Sequence, residues 1–413
     1  MNVPITREFI KKLPKTDLHL HLDGSIRIPT LIELARASKV ELPSWTEEGL
    51  RRTVFKDNYG SLEEYLKGFG YTGAVLQEAE HLERVAYELA IDNQLEGVRY
   101  IEVRFAPQLH THGDFDLIQV MAAVNRGLER AKREFNQRPE ITSGSEPTFQ
   151  YGIIACAMRY FNEHFSSYHK NFLNIHRYLN KDQAYGLASL VMAQAAVWAQ
   201  QEAGLPVVGF DLAGPEAGYP PIHHREAYQF AHRNFLKKTV HAGEDYGPES
   251  IFQAITELYA DRIGHGTSLL NAGAIRSSEI QDSKRYVREM AQFIADRRIT
   301  LEVCLTSNQQ TNPAYRRLED HPFGQMMAFR LSVTLGTDNR TVSNTTVTDE
   351  CYKAVSHFNL SFEDLKSIIV YGFKRSFFPG NYAQKRVYVR ECMEYFERVE
   401  QEYRQQLTGQ DNR

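Results

Sequence analysis

The sequence predicts an α/β fold, a (β/α)8 barrel of the TIM type. Three observations predict it. Eight short apolar runs recur along the 413 residues, helically spaced segments separate them, and several runs end in a histidine or an acidic residue. Strand–helix alternation implies a parallel sheet, and eight units suggest closure into a barrel. Ligands and catalytic groups at the C-terminal ends of several strands are what the mouth of such a barrel is made of.

The predicted strands are Lys15–His21, Tyr100–Ala106, Tyr151–Met158, Pro206–Leu212, Lys238–His241, Arg262–His265, Thr300–Leu305 and Ser332–Thr337. Most are rich in Val, Ile and Leu on both faces, the pattern of buried parallel strands. Between them, His81–Leu95 carries Val85, Leu89, Ala90 and Ile91 on one apolar stripe, and Leu187–Glu202 is Ala-rich without Gly or Pro. Both read as helices. Leu31–Leu76 is too long for one crossover helix and reads as a helical insertion after the first strand. Ser361–Glu402 reads as extra C-terminal helices, and Asn136–Thr148, with Pro139, Gly144 and Pro147, as an exposed loop. Phe161–Asp182, with several aromatics and His164, His169 and His176, either borders the site or covers the barrel. One barrel domain over residues 1–413 is expected.

Composition narrows the function. The hydrophobic fraction is 42% and the charged fraction 24%, ordinary for a globular protein. Net charge is −4 and no basic stripe stands out, which argues against a nucleic-acid partner. No run approaches the ~18 apolar residues of a membrane span. Met1–Pro14 lacks the apolar core of a signal peptide. Cys156, Cys304, Cys351 and Cys392 form no close pair and read as reduced thiols, so a cytoplasmic location is expected. The sequence leaves the oligomeric state open.

Four segments carry the chemistry. His19 and His21 sit two apart in a strand, so both rings project from one face. Such nitrogens suit zinc, although His-x-His alone is weak evidence. His241 ends the fifth strand, and Glu244 follows Ala242 and Gly243, small residues that permit a tight turn. A carboxylate there could equally serve a helix N-terminus. His265 lies between Gly264 and Gly266, with room for a ligand to approach, or it is a buried structural histidine. Asp338 ends the eighth strand as a ligand, a base or a helix cap. Singly the structural readings compete well. Jointly they leave unexplained why all these titratable groups fall at strand ends.

Lys15–Ser25, Asp211–Gly214, His241–Glu244, Arg262–Gly266 and Thr337–Asn339 together resemble the adenosine deaminase family of metal-dependent amidohydrolases. The resemblance runs in order from about Lys15 to Glu350. It implies a mononuclear zinc site held by His19, His21, His241 and Asp338. Binuclear relatives carry a lysine on the fourth strand, and Val207–Leu212 has none, so one Zn2+ per chain is expected. The resemblance further implies hydrolytic deamination of adenosine or 2′-deoxyadenosine to the inosine product and ammonia. Water activated by zinc would add at purine C6. Glu244 would protonate N1, while His265 and Asp338 would orient the water and accept its proton.

Substrate contacts follow by the same resemblance. Gly214 would offer its N–H to purine N3, and Asp23 would bond a ribose hydroxyl. Asn339 stands where the family often has a second aspartate, and its amide can still donate to N7. Leu62, Tyr65, Leu66 and Phe69 share one helical face. That face is either simply buried or an apolar lid over the ribose, which would favour a nucleoside over free adenine. The nearest rival is deamination of another 6-aminopurine, adenine or aminofutalosine. A metal-dependent hydrolase of esters or cyclic amides and a non-catalytic binder are more distant readings.

Overall fold

The computed structural model describes residues 4–410. Residues 1–3, which begin the segment expected to lack a signal peptide, and residues 411–413 lie outside them. Eight strands form one parallel sheet in sequence order: β1 (Lys15–His21), β2 (Val98–Phe105), β3 (Gln150–Met158), β4 (Val207–Ala213), β5 (Lys237–Ala242), β6 (Arg262–His265), β7 (Thr300–Val303) and β8 (Val333–Leu335). The order is that of a TIM-type barrel.

The seam between β8 and β1 lies at the site itself. The His21 N–H donates to the Asp338 carbonyl at 2.7 Å, and the Asp338 N–H donates to the His19 carbonyl at 2.7 Å. Leu20 and Asp338 thus form an isolated parallel bridge beyond the end of β8. On the other side, β5 and β6 place His241 opposite Gly264 and Ala242 opposite His265.

Each expected strand is present; β1 and β6 keep the expected bounds and the others have shifted ends. β7 stops at Val303 because Leu305–Thr311 turns at once into a helix. β8 keeps only Val333–Leu335, since Asp338 takes a left-handed φ of 59°. The expected helices run Ala79–Leu95 and Lys181–Gln201, the latter started by an Asn180–Gln183 capping box. The insertion forms helices Ile28–Ser38, Glu47–Thr53, Leu62–Leu66 and Phe69–Val75. The helical face over Ser61–Phe69 therefore comes in two pieces, because Gly68, Gly70 and Gly73 weaken helix bonding. The C-terminal helices are Phe362–Arg375 and Tyr382–Gln410. Asn136–Thr148 is a connection, as expected, except for one helical turn, Pro139–Thr142, begun by its proline.

Leu18 and Leu20 alternate with the histidines of β1 and are buried in the main core with Val103, Ile153, Phe210, Val240, Ile263, Leu301 and Val333. The four cysteines are free and buried. Among the described residues no helix is long and apolar enough to cross a membrane.

Candidate active site

β1 delivers His19 and His21 side by side, as the two-residue period requires. Their Nε2 atoms stand 3.1 and 3.2 Å from Nε2 of His241, at the end of β5. Asp338 Oδ1 stands 3.5 Å from His19 Nε2 and 3.4 Å from His21 Nε2. Two glycines make the room. A Cβ on Gly264 would lie 2.9 Å from His19 Cε1, and one on Gly336 would lie 2.9 Å from His19 Cβ.

Buried carboxylates set the rings. His19 Nδ1 lies 2.8 Å from Glu302 Oε2, and His241 Nδ1 lies 3.1 Å from Asp211 Oδ2. Burial alone would push both carboxyls up. For Glu302, Arg104 and Arg262 outweigh it; for Asp211, His241 and Arg104 do so, and both stay well below the carboxylate range. Arg104 bridges them, at 2.7 Å from Glu302 and 2.8 Å from Asp211. Arg262 joins Glu302 at 2.6 Å and also pairs with Glu102. An ionised carboxylate at Nδ1 keeps the ring hydrogen there and leaves Nε2 with its lone pair, the arrangement usual behind metal-ligating histidines.

Four acceptors then face one another, which is repulsive unless a cation sits among them. Separations of 3.1–3.5 Å match the edge of a tetrahedral set, about 3.3 Å for bonds of about 2.0–2.1 Å. Three imidazoles and one carboxylate form a donor set that suits zinc. His265 could also be counted, since ligand atoms of His19, His241, His265 and Asp338 lie within 4.8 Å of one another. The set with His21 is the tighter one. The His265 Nδ1 is already engaged by Asn308 at 3.0 Å, and its Nε2 faces Glu244 Oε2 at 3.6 Å.

Glu244 stands beside His265. Its side chain is 11% exposed. Burial, then the charges of Asp338, Glu216 and Asp245, push its carboxyl well above the usual range, with Arg159 opposing. Both effects favour the protonated carboxyl. Burial and the neighbouring His19 hold His265 neutral. Asp338 is held well below its usual value, because the surrounding imidazoles outweigh burial. His265 and Asp338 adopt left-handed φ of 62° and 59°, strain of the kind that gathers at functional sites.

The remaining expected residues follow β1, β4 and β8 or lie on the insertion after β1. Gly214 follows β4 with φ of 108°, which favours glycine. Asp23 follows β1. Its buried Oδ1 has no hydrogen-bond partner, and burial raises its carboxyl to about 6. Leu62 and Tyr65 are buried, and Leu66 and Phe69 half-buried. Tyr65 reaches the barrel, where its hydroxyl meets Ser343 Oγ at 2.8 Å and Asn339 Nδ2 at 2.7 Å. The aromatics of Phe161–Asp182 instead form a cluster of their own, with Phe161, Phe172 and Tyr185 at its centre.

Sequence reasoning missed Glu302, Arg104, Glu216, Arg159, Asn308 and His321. Glu302 and Arg104 had a signal: each is a charge inside an apolar strand. Glu216 accepts the N–H groups of Gly243, Glu244 and Asp245 at 2.7, 2.9 and 2.8 Å, and so ties down the turn that carries Glu244. Arg159 donates to the His241 carbonyl and, at 2.9 Å, to that of Tyr219. A separate cleft outside the barrel contains Arg27, Arg51 and Arg340. Their guanidiniums are taken by Asp92, the Thr341 carbonyl and Glu96, so it offers no free cation.

Comparison with known proteins agrees with this geometry. The adenosine deaminase family model matches residues 14–389. The chain is 34% identical over 382 residues to an adenosine deaminase of Mycobacterium sp. strain JLS, covering 92% of this chain and 94% of that one. It is 34% identical over 377 residues to a probable adenosine deaminase of Dictyostelium discoideum, covering 91% of this chain but 42% of that longer protein. Among solved structures, an amidohydrolase from Burkholderia ambifaria with bound Zn superposes with TM-score 0.73 at 19% identity, covering 97% of this chain and 96% of that one. Adenine deaminase from Arthrobacter aurescens superposes with TM-score 0.69 at 23% identity over 93% of this chain and 99% of that one. The N6-methyl-AMP deaminase of Arabidopsis thaliana gives TM-score 0.69 at 24% identity over 94% and 98%. The structural likenesses establish the fold. The family match over most of the chain, with the 34% identical mycobacterial relative, makes this protein a member of the adenosine deaminase family.

Proposed function

We propose that the chain is a zinc-dependent deaminase of adenosine and 2′-deoxyadenosine, releasing inosine or 2′-deoxyinosine and ammonia. The observation that carries this is a nearly buried Glu244, its carboxyl pushed above the usual range, 3.6 Å from His265 at the rim of the His19–His21–His241–Asp338 cluster. Ester cleavage needs no acid there; deamination of a 6-aminopurine does, because protonating N1 makes C6 electrophilic.

A zinc ion held by those four residues would supply the acidity that makes water a nucleophile at neutral pH. The chain's own groups do the rest. Glu244 gives its proton to purine N1. His265 orients the attacking water, and the ionised Asp338 takes its proton. The Gly214 N–H meets purine N3. The unpartnered Asp23 Oδ1 receives a ribose hydroxyl. Leu62, Tyr65, Leu66 and Phe69 close over the sugar and exclude water. That apolar cover supports a nucleoside rather than free adenine. The free, buried cysteines fit a cytoplasmic setting.

The test is an ultraviolet assay of zinc-loaded protein across adenosine, 2′-deoxyadenosine, adenine, AMP and aminofutalosine, with elemental analysis of the same sample. Adenine and AMP belong in it because a protein of this fold is an adenine deaminase and another an N6-methyl-AMP deaminase. Turnover favouring the two nucleosides is expected. No loss of adenosine absorbance, with one zinc bound per chain, ends the nucleoside reading.

A further inference from the structure

We infer that Asn308 and His321 fix His265 in the tautomer with its hydrogen on Nε2, so that this histidine orients the attacking water as a donor and is not its base. The catalytic half of this rests on the deaminase reading; the tautomer does not.

The chain of reasoning starts from a group with one role. The Phe323 backbone N–H can only donate, and it donates to His321 Nδ1 at 3.1 Å. The His321 Nδ1 therefore holds a lone pair. Burial pushes the His321 ring down to about 3, so it is neutral and its hydrogen sits on Nε2. That Nε2 lies 3.3 Å from Asn308 Oδ1 and donates to it. The orientation of the Asn308 amide is thereby set: oxygen toward His321, nitrogen toward His265. The amide nitrogen only donates, and His265 Nδ1 stands 3.0 Å from it. The His265 Nδ1 must accept. A ring nitrogen that accepts carries no hydrogen, so the ring hydrogen is on Nε2, on the side facing Glu244.

The opposite tautomer would be costly. A hydrogen on His265 Nδ1 would require Asn308 to turn its oxygen there. Its NH2 would then meet the Nε2–H of His321, and that hydrogen cannot move to Nδ1, where Phe323 already donates. Two donors would face each other in a buried site. His321 precedes the short helix Phe323–Ala328, which Phe323 begins, and Asn308 sits on Leu305–Thr311, so the relay couples two segments outside the strands to the catalytic ring. The rings of His19 and His241 lie 4.6 and 5.3 Å from that of His265 by centroid, and Asp338 and Glu244 are the carboxyl groups near it.

Long-range 1H–15N NMR of zinc-loaded, 15N-histidine protein tests this, with His265 assigned by the signals lost in His265→Gln. A pyridine-like Nδ1 and a pyrrole-like Nε2 are expected. A pyrrole-like Nδ1, or an imidazolium, overturns the proposal. Asn308→Asp then replaces the donor by an acceptor of the same shape. It is expected to move the hydrogen to Nδ1 and to lower kcat about 100-fold, with KM and zinc content held. Asn308→Ser, which keeps a donating hydroxyl, is expected to retain the Nε2–H tautomer and most of kcat. A switched tautomer with full kcat overturns the orienting role. If the unmodified protein turns over no purine, the deaminase reading fails while the spectrum of the unmodified protein still decides the tautomer.

Discussion

Asn339 Nδ2 donates to the Tyr65 hydroxyl at 2.7 Å, which ties the insertion after β1 to the residue next to Asp338. Asn339 is thus engaged with the insertion helix Leu62–Leu66. The Tyr65 hydroxyl also meets Ser343 Oγ at 2.8 Å. Tyr65→Phe removes both bonds and leaves the Asn339 amide unpaired. It is expected to raise KM for adenosine several-fold, at about 1 kcal/mol, with zinc content unchanged. Asn339→Asp is expected to be tolerated, because the Tyr65 hydroxyl can rotate to donate to it while accepting from Ser343. Steady-state kinetics of both variants check the pair; unchanged KM in Tyr65→Phe removes the latch.

Glu244→Gln keeps the shape of the side chain but not its transferable proton. Turnover is expected to fall about 10²–10⁴-fold with zinc still bound. Retained turnover in a zinc-replete sample refutes the proton-donor role.

Glu216 accepts three successive backbone N–H groups through one carboxylate. Glu216→Ala leaves those donors unsatisfied in a buried turn, at about 1–3 kcal/mol each at most. A lower Tm and faster amide exchange at Gly243, Glu244 and Asp245 are expected, together with a fall in kcat as Glu244 loses its position. Unchanged exchange at those amides would show that the turn holds without the clamp.

Glu302→Gln weakens the partner of His19 Nδ1 and unpairs part of Arg104 and Arg262. Zinc affinity is expected to drop about 10–100-fold. Chelation of the unmodified protein is expected to abolish deamination, and added zinc to restore it. Competitive titration with a fluorescent chelator reads the affinity, and equal values for the two proteins would detach Glu302 from the metal.

His110 is fully buried with neither ring nitrogen bonded to a side chain, and burial lowers its pKa to about 4. The unfolded chain binds a proton below about 6.5 and the fold does not until about 4. Stability is therefore fully present above pH 6.5 and is lost as pH falls from 6.5 toward 4, by about 3 kcal/mol from this group. His110→Phe is expected to flatten that limb in denaturant titrations at pH 7 and pH 4.5. An unchanged difference between the two pH values would place the acid sensitivity elsewhere.

The amino-acid order alone was enough for the barrel and for the six groups at its mouth. Each strand is a local apolar run, and His19, His21, His241, Glu244, His265 and Asp338 each sit at the end of one. Local pattern reports such things because strand period and chain turns are set within a few residues. Tertiary structure decided what those groups are. Glu302 and Asp211 set the histidine lone pairs from other strands, and Glu216 reaches the Glu244 turn across 28 residues. His321 acts on His265 through Asn308, over a separation that no periodicity records. Protonation and tautomer depend on burial and on which donor meets which acceptor, and both exist only after distant segments have come together.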